Sequence, residues 1–247
     1  MKTIFFHIPK TAGTFLANQY KKVLNYNVYK FFSDNNLCEF LDKNVLNLDK
    51  STQLQKLLEI RSIKTASYTP CVDIKNININ NKTFIYSHEI DKTIHQLFVD
   101  DNWNKITVVR NPFERIISCF AQRQRNNANI SLSETADNYQ FYFLYLAFCD
   151  KEVLPLNKQT ANIILQESIN ILKQFNIVFD QANISTQFYS TFQKSIICSN
   201  EIDNITKDDM VLNIPYKNIK DAISFIDYDY EFYKVAIYEN NKTLGAY

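Results

Sequence analysis

Three polar segments of the chain carry residue types that could bind and transfer an anionic group. Residues 8–14 (IPKTAGT) contain a lysine, two threonines and one of the two glycines in the 247-residue sequence. Residues 86–89 (YSHE) contain a histidine, and residues 108–112 (VVRNP) contain an arginine. Each segment follows a short apolar run that is typical of a buried strand. Because ligands of α/β proteins collect beyond the carboxyl ends of parallel strands, these segments form the candidate site.

The segment at residues 8–14 has the parts of an anion-binding loop. Gly13 permits a positive φ and close approach of the backbone to a ligand, and the helix predicted from residue 14 offers N–H groups and a positive dipole end. Thr11 and Thr14 add hydroxyl donors, and Lys10 adds a charge. The lysine precedes the glycine here, unlike in the nucleotide-triphosphatase loop. A plain strand-to-helix turn, with glycine as the bend and threonine as the cap, remains the alternative.

The segment around Arg110 suits a terminal phosphate. An arginine can meet a phosphate with paired, charge-assisted hydrogen bonds. Asn111 is predicted to cap a helix whose first residue is Pro112, and Ser118 lies on that helix. The buried face of this helix is predicted to consist of Ile116, Ile117, Phe120 and Ala121.

Two residues of this helix also have structural interpretations. Arg115 is predicted to be structural, in an ion pair with Glu114 or with another surface acid. Ser118 could bond to the backbone of its own helix instead of to a ligand.

His88 is the candidate general base, because an imidazole can accept a proton from an alcohol near neutral pH. The structural alternative is a histidine that bonds to a strand end. Glu89 is the competing base, or it could orient the imidazole. His95 lies in a predicted helix and is expected on its surface, whereas His7 is expected to pack or hydrogen-bond within the first loop.

Two of these segments resemble the signatures of one enzyme family. HIPKTAGT closely resembles the 5′-phosphosulfate loop of sulfotransferases that use 3′-phosphoadenosine 5′-phosphosulfate (PAPS), in the carbohydrate-type branch that includes heparan sulfate 2-O-sulfotransferase. Residues 110–118 (RNPFERIIS) resemble the family's R-[ND]-P-x-x-R-x-x-S signature for the 3′-phosphate. The resemblance implies that Arg110 and Ser118 bind the 3′-phosphate. It implies that the other end of PAPS is bound by Lys10, Thr11, Ala12, Gly13, Thr14 and Phe15.

The resemblance also implies roles in catalysis. Lys10 would neutralise charge on the oxygen that leaves sulfur, and His88 would take the acceptor's proton, with no metal ion required. The implied acceptor is a glycan hydroxyl, in a cell-surface polysaccharide made in a bacterial cytoplasm. Weaker similarities follow in the same order along the chain, at residues 137–144 (DNYQFYFL), 175–180 (FNIVFD) and 229–233 (DYEFY).

Composition narrows the class of protein. Hydrophobic residues make up 46% and charged residues 21% of the chain, and the formal net charge is +1, which gives no argument for binding nucleic acid. No apolar run approaches the roughly 20 residues that span a bilayer, and we expect no signal peptide because the apolar run at residues 4–6 is too short for its core. Five scattered cysteines suit a reducing compartment. The expected location is therefore the cytoplasm, with no membrane span and no metal site.

Alternating apolar runs and amphipathic segments predict the fold class. We expect an α/β protein: one P-loop-like domain over residues 1–247, with a central, mainly parallel β-sheet flanked by helices. The predicted strands lie at residues 2–8, 28–32, 83–86, 105–109 and 176–179. Predicted helices run from residue 14, at 34–63 with interruptions, around 94–98, from residue 112, and at 133–149, 157–174 and 228–239. Residues 69–82 are predicted to form a surface loop.

Two other functions stay open. The first is a P-loop phosphotransferase resembling a kinase, which would need ATP and magnesium. The second is a non-catalytic nucleotide-binding protein with the sulfotransferase fold. Three departures from the family pattern favour the second: Phe15 stands for Ser or Thr, and Ser87 and Phe179 each stand for glycine. The sequence does not identify the acceptor or the oligomeric state.

Overall fold

A computed structural model describes most of the chain. The described residues are 1–32, 37–40, 71–73, 77–88, 92–126, 131–133, 139–149, 153–195 and 214–243. The chain forms two compact units, each built from two segments. The first comprises Met1–His7 and Leu16–Lys105, and the second comprises Ile8–Phe15 and Ile106–Tyr247. The expectation of one domain over the whole chain stays a prediction.

The first unit is built around parallel strands. Its strands are β1 (Lys2–Phe6), β2 (Asn27–Phe32), β3 (Leu37–Phe40), β4 (Cys71–Asp73) and β5 (Thr83–Ser87). β5 pairs in parallel with both β1 and β2, while β3 pairs antiparallel with β2 and with β4. The unit also contains α1 (Gly13–Lys22) from Leu16 onward and α2 (Lys92–Val99).

Apolar side chains explain why β1 and β5 are buried in the first unit. Both strands are almost continuous apolar runs, and every residue of β5 is buried, as expected for strands that are covered on both faces. Phe5 and Phe84 lie side by side, with ring centroids 5.9 Å apart. Tyr20 of α1 packs on Phe84 at 4.2 Å. The helix period of α1 therefore places its apolar stripe on the sheet.

The second unit contains the end of β6 (Trp103–Val109), which pairs in parallel with β7 (Ile177–Asp180), and Val109 is opposite Asp180. Its other helices are α3 (Pro112–Asn126), α4 (Gln140–Phe148), α5 (Ala161–Leu172), α6 (Ile184–Phe192), α7 (Tyr216–Ala222) and α8 (Ile226–Thr243). α8 packs against α3, α4, α5, α7 and β7. This last helix is therefore a hub of the second unit.

The structure confirms the predicted fold class, α/β with mainly parallel strands flanked by helices. Each predicted strand is present, with ends shifted by up to two residues. Two predictions are wrong: β3 lies where an interrupted helix was expected, and β4 lies in the expected loop. β3 gains its partner from β2, and β4 in turn pairs with β3; local periodicity does not encode such contacts. The rest of the predicted helix at residues 34–63 lies outside the described residues.

Other differences concern helices. The helix expected from residue 133 begins at Gln140 within the described residues, and α6 and α7 were not predicted. Of the residues predicted to form the buried face of α3, Ile116 is fully buried but Ile117 is only half-buried. Among the helices in the described ranges, none is both long enough and apolar enough to cross a membrane.

Candidate anion-binding site

The loop after β1 has an unusual backbone. Lys10 and Ala12 have positive φ angles, 69° and 66°, although neither is glycine. Such conformations are uncommon for residues with a Cβ atom and occur mainly where function or packing requires them. Left-handed residues alternating with residues of negative φ turn successive N–H groups toward one concave side, which suits an anion. The loop geometry therefore favours an anion-binding turn.

The positions of these angles correct one expectation. Gly13 was expected to provide the positive φ, but it is the first residue of α1 and is buried. The first N–H groups of an α-helix have no partner within the helix, so they suit an anion placed at this end.

The hydroxyl of Thr11 also has a different role from the expected one. Thr11 is fully buried, and its Oγ1 donates to the carbonyl of Ile8 at 2.7 Å. A hydroxyl has one hydrogen, so it cannot donate to a phosphate while this bond exists. Thr11 thus stabilises the loop, and only its backbone N–H remains a candidate for the ligand. Thr14 and Phe15 are half-buried in the first turn of α1.

Arg110 follows β6 and contacts this loop. Its Nη1 donates to the carbonyl of Lys10 at 3.4 Å, which brings the lysine loop and the arginine segment together within the second unit. The side chain is 24% exposed, and its Nε lies 3.6 Å from Oε2 of Glu114. That distance makes an ion pair, but the buried Nε–H has no hydrogen-bond acceptor within the described part of the chain. Arg110 therefore carries donor capacity that an anionic ligand could use.

Burial and a neighbouring acid act on the charge of Arg110 in opposite directions. Desolvation lowers the pKa of its guanidinium, and Glu114 opposes this shift. The group stays cationic because arginine is not deprotonated in proteins. A partly desolvated cation of this kind attracts an anion more strongly than a solvated one does.

The connection between β6 and α3 consists of Arg110 and Asn111. The side chain of Asn111 accepts a hydrogen bond from the N–H of Phe113 at 3.0 Å, and Pro112 begins α3. The predicted helix cap and first helical proline are confirmed. Ser118 is buried on α3, and the contacts of the described residues do not join it to Arg110. Its place at a 3′-phosphate stays a prediction.

Arg115 has a structural environment, but its partner is not the expected one. Its side chain and that of Asp229 on α8 are both fully buried, and Nη2 lies 3.8 Å from Oδ2. Glu114 pairs with Arg110 instead. Burial raises the pKa of the Asp229 carboxyl, while Arg115 and the N–H of Phe141 oppose that shift. Asp229 and Gln140 were noted only as parts of weak sequence similarities, and their contacts to this site were not predicted.

His88 lies in the first unit, directly after β5. The N–H of His7 donates to the carbonyl of Ser87 at 2.7 Å, and Nδ1 of His88 lies 2.8 Å from the carbonyl oxygen of His7. Since a carbonyl can only accept, Nδ1 carries the hydrogen and the neutral ring has its lone pair on Nε2. The bond orients His88, and Nε2 is then the ring nitrogen that could accept a proton.

The other histidines match their predictions. The ring of His7 packs against Phe5, Tyr86 and His88, with centroid distances of 5.5, 6.1 and 4.2 Å. His95 is exposed on α2. Glu89, the competing base, lies outside the described residues, so no contact tests its role.

Two comparisons of the sequence with known proteins found no match. No model of a known protein family matches the sequence, and no curated protein matches it. Within the described ranges, no group of three or more His, Cys, Asp or Glu side chains could hold a metal ion.

Proposed function

We propose that this protein transfers a sulfuryl group from PAPS to a hydroxyl group of an acceptor. The observation that carries the proposal is the contact between the guanidinium of Arg110 and the carbonyl of Lys10, at 3.4 Å. It joins two polar segments that lie 100 residues apart in the sequence and that each suit one phosphate. A nucleotide with phosphate on both its 3′ and its 5′ positions is a ligand that could use both segments at once.

Each segment would bind one end of the donor. The loop at residues 8–14 and the start of α1 would bind the 5′-phosphosulfate through backbone N–H groups, with the Lys10 charge beside it. Arg110 would bind the 3′-phosphate. Its buried Nε–H would then gain an acceptor, which removes the cost of leaving a buried donor without a hydrogen bond.

We derive the chemical step from the roles that the family resemblance implies for Lys10 and His88. An acceptor oxygen forms a bond to sulfur while the bond between sulfur and the bridging oxygen of the 5′-phosphate breaks. The Lys10 ammonium stabilises the negative charge that develops on that oxygen. In this proposal Nε2 of His88 takes the proton from the acceptor hydroxyl, because the bond from Nδ1 to His7 leaves Nε2 as the basic nitrogen.

The acceptor class rests on the family resemblance. We propose a carbohydrate hydroxyl, in a polysaccharide made in a bacterial cytoplasm. The scattered cysteines are consistent with that compartment. The acceptor's sugar and the sulfated position are left to experiment.

Donor binding is the first test. Calorimetry should show that 3′,5′-adenosine bisphosphate binds the wild-type protein and that ATP with magnesium binds much more weakly. We expect Arg110→Ala to weaken bisphosphate binding by about tenfold to a hundredfold, the effect of losing charge-assisted hydrogen bonds. Lys220→Ala removes a positive charge from a half-exposed position on α7 and should leave binding unchanged. Tighter binding of ATP would instead support a phosphotransferase.

Turnover is the second test. An acceptor screen with radiolabelled PAPS should find a glycan that accepts sulfate. His88→Ala should then lower the rate by about 10²–10⁴, as for loss of a general base, whereas His95→Ala, on the exposed surface of α2, should not. If the His88→Ala variant kept most of its activity, His88 would not be the general base. Bisphosphate binding without transfer to any acceptor would indicate a nucleotide-binding protein.

A further inference from the structure

The side-chain amide of Gln140 holds both backbone groups of Arg110. Gln140 is the first residue of α4 and is fully buried. Its Oε1 accepts from the N–H of Arg110 at 2.9 Å, and its Nε2 donates to the carbonyl of Arg110 at 2.8 Å. β6 ends at Val109, so these two bonds replace strand pairing at the next residue. One side chain thereby fixes the peptide groups on both sides of the Arg110 Cα atom.

The chemistry of the neighbours fixes the orientation of this amide. Nε2 faces two acceptors, the carbonyl of Arg110 and Oδ2 of Asp229, the latter at 3.5 Å. Oε1 faces a donor, the N–H of Arg110. A flipped amide would place its NH₂ group against an N–H and its oxygen against two oxygens, so one orientation alone satisfies the site.

Asp229 in turn is held from two directions. Its Oδ1 accepts from the N–H of Phe141 at 3.1 Å, and its Oδ2 lies 3.8 Å from Nη2 of Arg115. Asp229, Gln140 and Arg115 are all fully buried. The amide that holds Arg110 therefore belongs to a network between α3, α4 and α8 that solvent does not reach.

From these contacts we infer that Gln140 is a positioning residue for Arg110. A side chain leaves the backbone in the direction of its Cα–Cβ bond, and the two hydrogen bonds fix that direction at the strand end. Arg110 is thereby preorganised for an anion instead of being ordered by it, which lowers the entropic cost of binding. For the identity of the anion, a 3′-phosphate, this inference rests on the proposed function.

The test compares two ligands, 3′,5′-adenosine bisphosphate and 5′-AMP, which differ by the 3′-phosphate alone. The ratio of their affinities for the wild-type protein measures how much the 3′-phosphate contributes to binding. Gln140→Met keeps the length of the side chain and removes both hydrogen bonds, and we expect the ratio to fall by about tenfold or more. If this variant does not fold, Gln140→Ala leaves room for water at the two backbone groups and is measured instead.

Gln187→Met is the matched control. The buried side chain of Gln187 accepts from the N–H of Asp180 at 2.8 Å, and Asp180 pairs with Val109 at the end of the neighbouring strand. Both variants should lower the melting temperature, but Gln187→Met should leave the affinity ratio unchanged. A fall in stability with an unchanged ratio in Gln140→Met would overturn the positioning role.

Hydrogen exchange at the Arg110 amide provides a readout that needs no ligand. In wild type this N–H should be protected by its bond to Gln140, and in Gln140→Met it should exchange at least about tenfold faster. If neither nucleotide binds wild type, the proposed function fails, and faster exchange would still support the contact with Gln140. An unchanged exchange rate would contradict the inference by itself.

Discussion

The loop after β1 and the end of β6 both suit a phosphate, but they are built from contacts of different range. The loop depends on its own residues: positive φ angles at Lys10 and Ala12, and a hydrogen bond from Thr11 to Ile8, three residues earlier. The end of β6 depends on distant residues, since Gln140 lies 30 positions beyond Arg110. One site thus combines a locally determined turn with an arginine that the tertiary structure must hold.

Because of this difference, substitutions in the two parts of the site should have different effects. Substitutions in the loop should change chemistry or local strain and leave the fold in place. Substitutions behind Arg110 should affect stability first, because they disturb buried charges and hydrogen bonds. Four experiments test that contrast.

The largest effect is expected from Asp229→Leu. This change removes the carboxylate beside the buried guanidinium of Arg115 and the acceptor for the N–H of Phe141. The free energy of unfolding should fall by about 3–5 kcal/mol, as for other broken buried ion pairs, measured by urea denaturation. Asp227→Ala, at a 68% exposed side chain on the same helix, should change it by less than about 0.5 kcal/mol.

The double variant Arg115→Met/Asp229→Leu sharpens this test. Removing both charges should recover most of the lost stability, because a buried pair gains little over apolar packing. The pH dependence has a definite sign as well. Burial raises the pKa of Asp229 from its ordinary value of 3.8, so the folded protein binds this proton more tightly than the unfolded chain does.

The contribution of Asp229 to stability therefore decreases as pH rises from that ordinary value through the raised folded value. Relative to the double variant, wild type should gain stability as the pH is lowered from about 7 toward about 4. Urea denaturation at a series of pH values measures this difference. A gain with rising pH would mean that Arg115 outweighs burial.

Lys10→Met is expected to have the second largest effect, and on chemistry. Loss of the charge at the leaving oxygen should lower kcat by about 10²–10³, with a smaller loss of bisphosphate affinity than Arg110→Ala causes. Lys22→Met, at an exposed position near the end of α1, is the control and should keep full activity. Equal losses of affinity in the Lys10 and Arg110 variants would remove the distinction between the two halves.

The sequence predicted the contacts between neighbouring residues better than the contacts between distant ones. The turn between β1 and α1, the cap at Asn111 and the first helical proline were predicted because they depend on residues close in the chain. The bond from Thr11 to Ile8 and the positive φ angles of the turn were not predicted. The partners of Arg110 and Arg115 were not, because Gln140 and Asp229 come next to them only when α4 and α8 pack. β3 and β4 were missed for a similar reason, since β3 is paired by β2 and β4 is paired by β3.

Ala12→Gly tests the local strain in the loop. A residue with a Cβ atom pays for its positive φ, 66° here, and glycine does not, so the free energy of unfolding should rise by up to about 1 kcal/mol. The same substitution at Ala17, inside α1, should lower it by about 1 kcal/mol. Thermal and urea denaturation of both variants give the comparison. Destabilisation by both would mean that Ala12 is not strained.

Glu114→Gln should have the smallest effect and the opposite direction to Arg110→Ala. Removing the negative charge 3.6 Å from Nε of Arg110 should strengthen bisphosphate binding by about twofold to threefold, because the acid is half-exposed and its charge is screened. The gain should vanish at high salt. Glu231→Gln, on the exposed surface of α8, is the control. Weaker binding in Glu114→Gln would show that the acid assists the ligand.

The short connection between β6 and α3 limits how the length of this chain can vary. Arg110 is held on both sides by Gln140, and the next residue, Asn111, caps the helix. An inserted residue between Val109 and Pro112 would shift Arg110 out of register with one of these two anchors. Proteins that share this arrangement should therefore tolerate insertions elsewhere in the chain and keep two residues at this position.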